Sequence, residues 1–179
     1  MTADEIKRVL RLEPHPREGG WFVQTYASEA VLPASVFANS SAPAQYPGPR
    51  RLSTAIYYLL EPETFSEMHR LGSDEVFHHY AGGSVEMLQL FPGGRIDRVI
   101  LGKDLAAGER PQIVVPRGVW QGSRLLRTEG GEDAWALLGC TVSPGFEYAD
   151  YETGTSAELL SGWPEVTTLI RALTQDQTL

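Results

Sequence analysis

The sequence has a single cysteine, Cys140, so the chain can form no disulfide bond within itself. The apolar neighbours of this cysteine predict a buried thiol rather than a reactive one. No apolar run comes near the ~20 residues that a membrane-spanning helix needs. Basic side chains are scarce, with 15 Lys and Arg against 23 Asp and Glu, and the formal net charge is −8. This balance argues against nucleic-acid binding, because phosphate contacts need clustered cations.

The first residues, Met1 to Glu5, are acidic and contain no apolar run, unlike a secretory signal. We therefore expect a soluble cytoplasmic protein with no membrane partner and no nucleic-acid partner. A length of 179 residues and a hydrophobic fraction of 42% fit one globular domain over residues 1–179.

Helical signals are confined to the two ends of the chain. Thr2 and Glu5 stand in capping-box positions ahead of a short apolar stripe, which predicts an N-terminal helix. Pro164 begins a segment whose apolar residues recur at helical spacing, which predicts a second helix over residues 164–174.

Between the helices, short β-branched and aromatic runs alternate with Gly and Pro turns. We predict strands at residues 21–26, 53–60, 76–80, 84–91, 95–101, 112–115 and 134–142. Pro92-Gly93-Gly94 predicts a hairpin between two of them. Many short strands separated by turns indicate a sandwich or barrel rather than a βαβ fold.

Residues 28–52 contain four prolines and many small residues, which predicts a long loop. Two interpretations stay open for it, a functional loop and a tolerated surface insertion.

Two short motifs carry the functional signal. The first runs from His69 through Glu75 to Gly82, and the second is the stretch 116–121, PRGVWQ. They resemble the two motifs of the cupin superfamily, which are His-x-His followed by Glu and Gly, and Pro-x-Gly-x-x-His. The resemblance implies an all-β fold, a double-stranded β-helix or jelly roll with short N- and C-terminal helices and a ligand pocket inside.

Further matches are similar to one branch, the cupin-5 family. They are Glu18-Gly19-Gly20, His69-Arg70, Glu75-Val76-Phe77-His78, Val115 to Gln121, Pro144-Gly145-Phe146 and Asp150-Tyr151-Glu152. They run in order from about residue 18 to residue 152, and members of this branch resemble dTDP-deoxysugar epimerases in shape. Cupins commonly pair through their sheets, and residues 20–26 look like an edge strand that needs covering, so we expect a homodimer.

Cupins usually hold a divalent metal with the four motif side chains. Here Leu71 stands at the second His position and Gln121 at the last one. Leucine cannot ligate, and glutamine offers only a neutral carbonyl oxygen. We therefore expect no cofactor; if a metal is bound, His69, Glu75 and Gln121 are its ligands.

Without a metal, His69 and Glu75 are the candidate catalytic residues, because a carboxylate beside an imidazole makes an acid–base pair. Such a pair suits an isomerase, epimerase or lyase acting on a small polar metabolite, for example a sugar derivative. Two alternatives stay open. One is a binding module that holds a small molecule without turnover, and the other is a metal-dependent oxygenase or decarboxylase with a degraded ligand set.

Other residues are candidates for ligand binding. Gln121 could orient a substrate carbonyl or hydroxyl, and Trp120 could either stack on a ring or pack at a turn. Tyr57 and Tyr58 alternate along one strand, so one of them faces the interior, and we assign Tyr58 as the ligand-binding candidate.

The two adjacent histidines give conflicting signals. Strict strand alternation places His79 on the same face as Glu75, whereas the family resemblance points to His78. A β-bulge would reconcile the two, and we take His78 as the ligand-binding candidate.

Overall fold

The computed structural model describes residues 1–37, 46, 48–126 and 135–175. Its strands are β1 (Glu13–Pro14), β2 (Trp21–Ala27), β3 (Val31–Leu32), β4 (Arg50–Arg51), β5 (Thr54–Leu60), β6 (Phe65–Arg70), β7 (Asp74–Gly82), β8 (Val85–Leu90), β9 (Ile96–Leu101), β10 (Gln112–Val115), β11 (Trp120–Leu125), β12 (Ala136–Ser143) and β13 (Glu152–Thr153). The helices are α1 (Ala3–Leu10), α2 (Ser156–Gly162) and α3 (Thr167–Ala172), with short 3-10 turns at Ala34–Val36, Tyr148–Asp150 and Pro164–Val166.

Two antiparallel sheets face each other. One has the strand order β1-β2-β5-β12-β7-β10, and the other has the order β13-β6-β11-β8-β9. Phe77 and Leu138 of the first sheet pack against Val85 and Met87 of the second in one buried apolar core. The expected jelly-roll architecture is therefore confirmed, and so is the hairpin at residues 92–94, across which β8 pairs with β9.

The helices cover the outer faces of the sheets. The predicted capping box of α1 is present: Thr2 Oγ1 accepts the Glu5 N–H at 3.2 Å, and Glu5 accepts the Thr2 N–H at 2.9 Å. This helix packs on the six-stranded sheet through Ile6 and Leu59. At the other end of the chain, α2 and α3 pack on the five-stranded sheet. None of the helices in the described part of the chain has the length and apolar character needed to cross a bilayer.

The C-terminal helix prediction was only partly right. Residues 164–174 hold a 3-10 turn followed by α3, because Val166 has non-helical backbone angles (φ −114°, ψ 30°). The sequence analysis also missed α2, which begins at Thr155, whose Oγ1 accepts the Glu158 N–H at 3.3 Å. The Thr-x-x-Glu spacing was a usable signal for this helix start.

The strand predictions missed β6 and β11. Both strands bury polar side chains, among them Ser66, Glu67 and His69 on β6 and Gln121 and Ser123 on β11. Buried polar residues remove the apolar alternation by which a strand is recognised in a sequence.

Two other predicted segments are only partly described. In the 28–52 loop, β3 pairs with β4, while residues 38–45 and 47 lie outside the described residues. The strand predicted at 134–142 is β12, and Ala134 lies outside the described residues.

The predicted edge strand is covered only in part. β1 pairs with Trp21 and Phe22, whereas the rest of β2 has β5 on one side only among the described strands. On the outer face of the same sheet, Tyr80 and Val114 are about half exposed, at 53% and 50%. An apolar sheet face of this kind is suited to burial against a second copy.

We expect light scattering at micromolar concentration to give twice the 19.7 kDa of one chain. Val114→Lys should shift the mass toward one chain, because it places a charge on the proposed contact face. The matched control is Val9→Lys, at an exposed position on α1, which should leave the mass unchanged. A native mass of one chain contradicts the dimer.

Candidate functional site

A cavity of about 100 Å³ lies between the two sheets, which leaves room for a small molecule or several waters. Its polar lining includes His15, Glu18, His69 and Glu75. Its aromatic lining consists of Phe22, Phe146, Tyr148 and Tyr151. The cavity thus combines ionisable groups with ring surfaces.

Glu75 is the inward-facing residue near the start of β7 and is 6% exposed. Gln121 Nε2 donates a hydrogen bond to Glu75 Oε2 at 2.6 Å. Burial, and then the negative charge of Glu18, raises the pKa of Glu75 to about 7, while His69 and the Gln121 bond act in the opposite direction. The carboxyl therefore changes its protonation state near neutral pH.

His69, on β6, is held in one orientation. Its Nδ1 donates to the Glu67 carbonyl oxygen at 2.7 Å, since a carbonyl can only accept. Its ring stacks on Tyr151, with 4.9 Å between the ring centroids and 15° between the planes. The Tyr151 hydroxyl donates to Glu67 Oε1 at 2.8 Å, and Thr153 Oγ1 donates to the same atom at 3.2 Å. This frame leaves Nε2 as the acceptor nitrogen of the neutral ring, and the ring lines the cavity.

A β-bulge in β6 determines which side chains reach the interior. His69 pairs with Gln121 and Ser66 pairs with Ser123, so β6 has one more residue than β11 between the two pairings. As a result Ser66 and His69, three residues apart, both reach the cavity side, where Ser66 Oγ donates to Glu18 Oε1. Met68 packs on the opposite face of the sheet, in the cluster that includes α2 and α3.

Glu18 and His15 are functional candidates that the sequence analysis did not assign. The Glu18 N–H donates to His15 Nδ1 at 2.8 Å, so the proton of the neutral His15 ring is on Nε2, 3.8 Å from Glu18 Oε2. Burial is the main cause that lowers the pKa of His15. Glu18 belongs to the Glu-Gly-Gly motif, which was a usable signal, whereas no pattern marked His15.

The glycines of that motif allow a close approach of the chain to β5. Gly20 has φ +66°, and a Cβ there would lie 2.8 Å from the Leu59 carbonyl oxygen. The Tyr58 hydroxyl donates to the Gly19 carbonyl oxygen at 2.8 Å. Tyr58 is thus inside the barrel as expected, but it anchors the turn that carries Glu18 and does not line the cavity.

Gln121 also has a different contact from the one expected. Its amide nitrogen is bound to Glu75, and its buried Oε1 has no hydrogen-bond partner in the described part of the chain. Gln121 therefore contacts the carboxyl of Glu75, whereas the sequence analysis gave it a substrate-orienting role.

Trp120 and the two adjacent histidines lie away from the cavity. Trp120 packs among the C-terminal helices, with the Arg70 guanidinium 4.3 Å from its ring centroid. His78 is on the outer face of its sheet, with Nε2 3.4 Å from Thr141 Oγ1. His79 Nε2 contacts the Gly83 carbonyl oxygen at 2.9 Å. The structure thus brings together His69, Glu75 and Gln121, and it separates them from these three residues.

The strand β7 does contain a bulge, but its position does not turn His78 inward. In the pairing with β12, Leu138 faces His79 and Leu137 faces Ala81, so the extra residue is Tyr80. This irregularity lies beyond both histidines, and alternation from Glu75 through Phe77 is unbroken.

The donor set does not fit a cupin metal centre. Leu71 lines the cavity at the position of the second histidine, and the amide of Gln121 is bound to Glu75. Over the described ranges, no three His, Cys, Asp or Glu side chains form a group that could hold a metal ion. Cys140 lies in the cavity wall beside Glu75, and burial raises the pKa of its thiol, which disfavours the thiolate ligand.

The pKa of Glu75 predicts a specific dependence of stability on pH. The folded-state pKa of about 7 lies above the usual 4.5, so the folded chain binds this proton more tightly than the unfolded chain. The resulting stability is fully present below about pH 4.5 and is lost as the pH rises through about 7.

Glu75→Gln has no such proton to lose. We expect its free energy of unfolding, relative to that of the native chain, to rise by about 2–3 kcal/mol between pH 5 and pH 8. Denaturant unfolding at several pH values measures this difference. Glu147→Gln removes an exposed carboxyl outside the cavity and should show no such rise. Parallel pH profiles for Glu75→Gln and the native chain contradict the prediction.

Comparison with known proteins identifies the family of this chain. A profile described as Cupin_5, cupin superfamily (DUF985), matches residues 4–154. The solved structure of protein SO0799 from Shewanella oneidensis is 35% identical, with a TM-score of 0.80 and 98% of each chain covered. Uncharacterized protein YML079W of Saccharomyces cerevisiae is 30% identical over 135 residues, 75% of this chain and 67% of that protein. A dTDP sugar isomerase from Desulfovibrio desulfuricans, at 13% identity and a TM-score of 0.52 over 82% of this chain and 90% of its own, shares the fold. This chain therefore belongs to the cupin superfamily, in the Cupin_5 (DUF985) family.

Proposed function

We propose that this cupin is a metal-independent acid–base enzyme of the isomerase, epimerase or lyase type, acting on a small polar metabolite in the barrel. The observation that carries the proposal is the Glu75 carboxyl, which lines a cavity and has a pKa of about 7. A general acid or base works best when its pKa lies near the working pH. Shifts of this kind in a cleft are typical of catalytic groups.

His69 supplies a second proton-transfer group in the same cavity. The Glu67 carbonyl holds its Nδ1 proton, so Nε2 is the nitrogen that can take a proton from a ligand. The stacking with Tyr151 restricts rotation of the ring. Glu75 and His69 line the same cavity. One of them can remove a proton from one atom of the substrate while the other delivers a proton to a different atom.

Gln121 serves this site as a positioning residue. Its bond to Glu75 Oε2 fixes the carboxyl, and the other Glu75 oxygen has no hydrogen bond from the Gln121 amide. Burial strengthens the interaction of these groups with any developing charge, because little water screens them.

The proposal predicts proton exchange between solvent and substrate. We would incubate the protein in D₂O with a panel of small carbonyl, hydroxy-acid and amino-sugar metabolites and follow carbon-bound deuterium by NMR. The native chain should label at least one of them. His69→Ala and Glu75→Gln should each lower the exchange rate by about 10²-fold or more, the usual contribution of a general acid or base.

Two matched variants serve as controls for this experiment. His78→Ala removes a histidine from the outer face, and Glu147→Gln removes an exposed carboxyl, so both should keep the native exchange rate. Full exchange by folded His69→Ala or Glu75→Gln protein contradicts the assignment. Tight binding of a compound without any exchange would favour the non-catalytic binding module instead.

The metal-independent character has its own test. Purified protein should hold well under one equivalent of iron, zinc, manganese or nickel. Replacing Leu71 and Gln121 together by histidine should raise zinc affinity on the order of 100-fold, because it places two further imidazoles beside His69 and Glu75. Calorimetric titration measures the affinity, and Val114→His, on the outer face, is the control. Near-stoichiometric metal in the native chain contradicts the proposal.

A further inference from the structure

Three of the polar groups that line the cavity are hydrogen-bond acceptors, and the His15 Nε2–H is a donor 3.8 Å from the Glu18 carboxylate. Glu18 and Glu75 contribute carboxylates, and an ionised carboxylate can only accept. His69 contributes Nε2, because its Nδ1 proton is held by the Glu67 carbonyl. A ligand that satisfies these groups must bring donors.

The described side chains that line the cavity include neither Lys nor Arg. One guanidinium group lies over a ring of the aromatic lining, and a second binds Asp150, the residue before Tyr151. Arg50 forms a buried ion pair with Asp150 at 2.7 Å. Arg17 is exposed and lies over the Tyr148 ring, 5.4 Å from its centroid. An anionic ligand would therefore meet two carboxylates in the cavity without a Lys or Arg among its described lining to neutralise it.

The electrostatics of Glu75 support the same conclusion. Burial and the charge of Glu18 both disfavour its ionised form, and the opposing effects come from the His69 ring and from hydrogen bonds. A cation placed against Glu75 would offset the repulsion from Glu18, whereas an anion would add to it.

The aromatic side chains of the lining offer a second kind of contact to a ligand. The rings of Phe22, Phe146, Tyr148 and Tyr151 offer apolar surface to the carbon part of a ligand. Their faces also attract a cation.

We infer that the ligand of this cavity is a small organic amine, bound as its ammonium ion, whose N–H groups donate to Glu18, Glu75 and His69 Nε2. The inference rests on the proposed function and names its substrate class. It separates this chain from enzymes whose substrates carry a phosphate or diphosphate, because those substrates bring negative charge into the site.

Four probes of matched size test the inference: n-butylammonium, n-butanol, propionate and tetramethylammonium. Binding to the full chain would be followed at about pH 8 by heteronuclear NMR, using the shifts of cavity residues. Butylammonium should bind at least about tenfold more tightly than butanol and propionate, because hydrogen bonds to charged groups are worth about 1.5–3 kcal/mol. The affinity for butylammonium should also exceed the affinity for tetramethylammonium, which has the same charge but no N–H donor.

Variants locate the effect in the cavity. Glu75→Gln and Glu18→Gln should each weaken butylammonium binding about tenfold and leave butanol binding within about twofold. Glu147→Gln makes the same change of charge outside the cavity and should leave all four affinities unchanged.

The possible results separate this inference from the proposed function. Preference for propionate or butanol, or no cavity shift with butylammonium, overturns the amine assignment. If the exchange reaction of the native chain survives that result, the acid–base proposal stands alone. If butylammonium binds as expected and no metabolite exchanges protons, the acid–base proposal fails and the amine assignment stands.

Discussion

The burial of the Glu75 carboxyl, with no Lys or Arg beside it among the described residues, is the constraint on which this site depends. A polar group in the interior costs several kcal/mol unless it is hydrogen-bonded, and an ionised one costs more. The Gln121 amide offsets part of that cost. The apolar core around Phe77 and Met87 supplies the stability that lets the barrel keep such a group. The pKa of about 7 follows from this arrangement, since burial destabilises the ionised carboxyl more than the protonated one.

Three buried or half-buried glutamates near the cavity are held by different donors. Glu67 accepts hydrogen bonds from the hydroxyls of Tyr151 and Thr153, and Glu18 accepts one from Ser66. Glu75 is instead held by an amide. Glu67 acts indirectly, because its backbone carbonyl orients the ring of His69 and its carboxylate anchors the tyrosine that stacks on that ring. Glu67 therefore fixes His69 in two ways, directly through its carbonyl and indirectly through Tyr151.

Much of the fold could be predicted because most of its longer strands are apolar or aromatic runs that end at Gly or Pro turns. The hairpin at residues 92–94 and the capping box of α1 are examples, since each depends on local chemistry. The strands that carry the site were harder, because β6 and β11 replace the apolar alternation with buried polar residues.

The site itself was only partly readable for the same reason. His69, Glu75 and Gln121 were all found through their motifs. The contact of Gln121 was not, because its amide binds Glu75 and was expected to bind a substrate. Of the two roles left open for Trp120, the structure shows packing, because consecutive residues of a strand face opposite sides and the residue beside Gln121 points to the helices. His15 could not be found, since it reaches the cavity through a turn whose shape only the tertiary structure reveals.

The bulge in β6 has a consequence for the number of residues that this strand can hold between two cavity-facing side chains. Strand pairing has a side-chain period of two, so the loss of one residue exchanges the faces of everything beyond it. Here the bulge already supplies one extra residue, so removing a residue between Ser66 and His69 would restore regular alternation and leave both side chains on the cavity side. The deletion would instead take away either Glu67, whose carbonyl orients His69, or Met68, which packs against the C-terminal helices. The extra residue thus lets β6 hold both Glu67 and Met68, with their different contacts, between two side chains that face the cavity, whereas a strand of regular alternation has room for only one residue there.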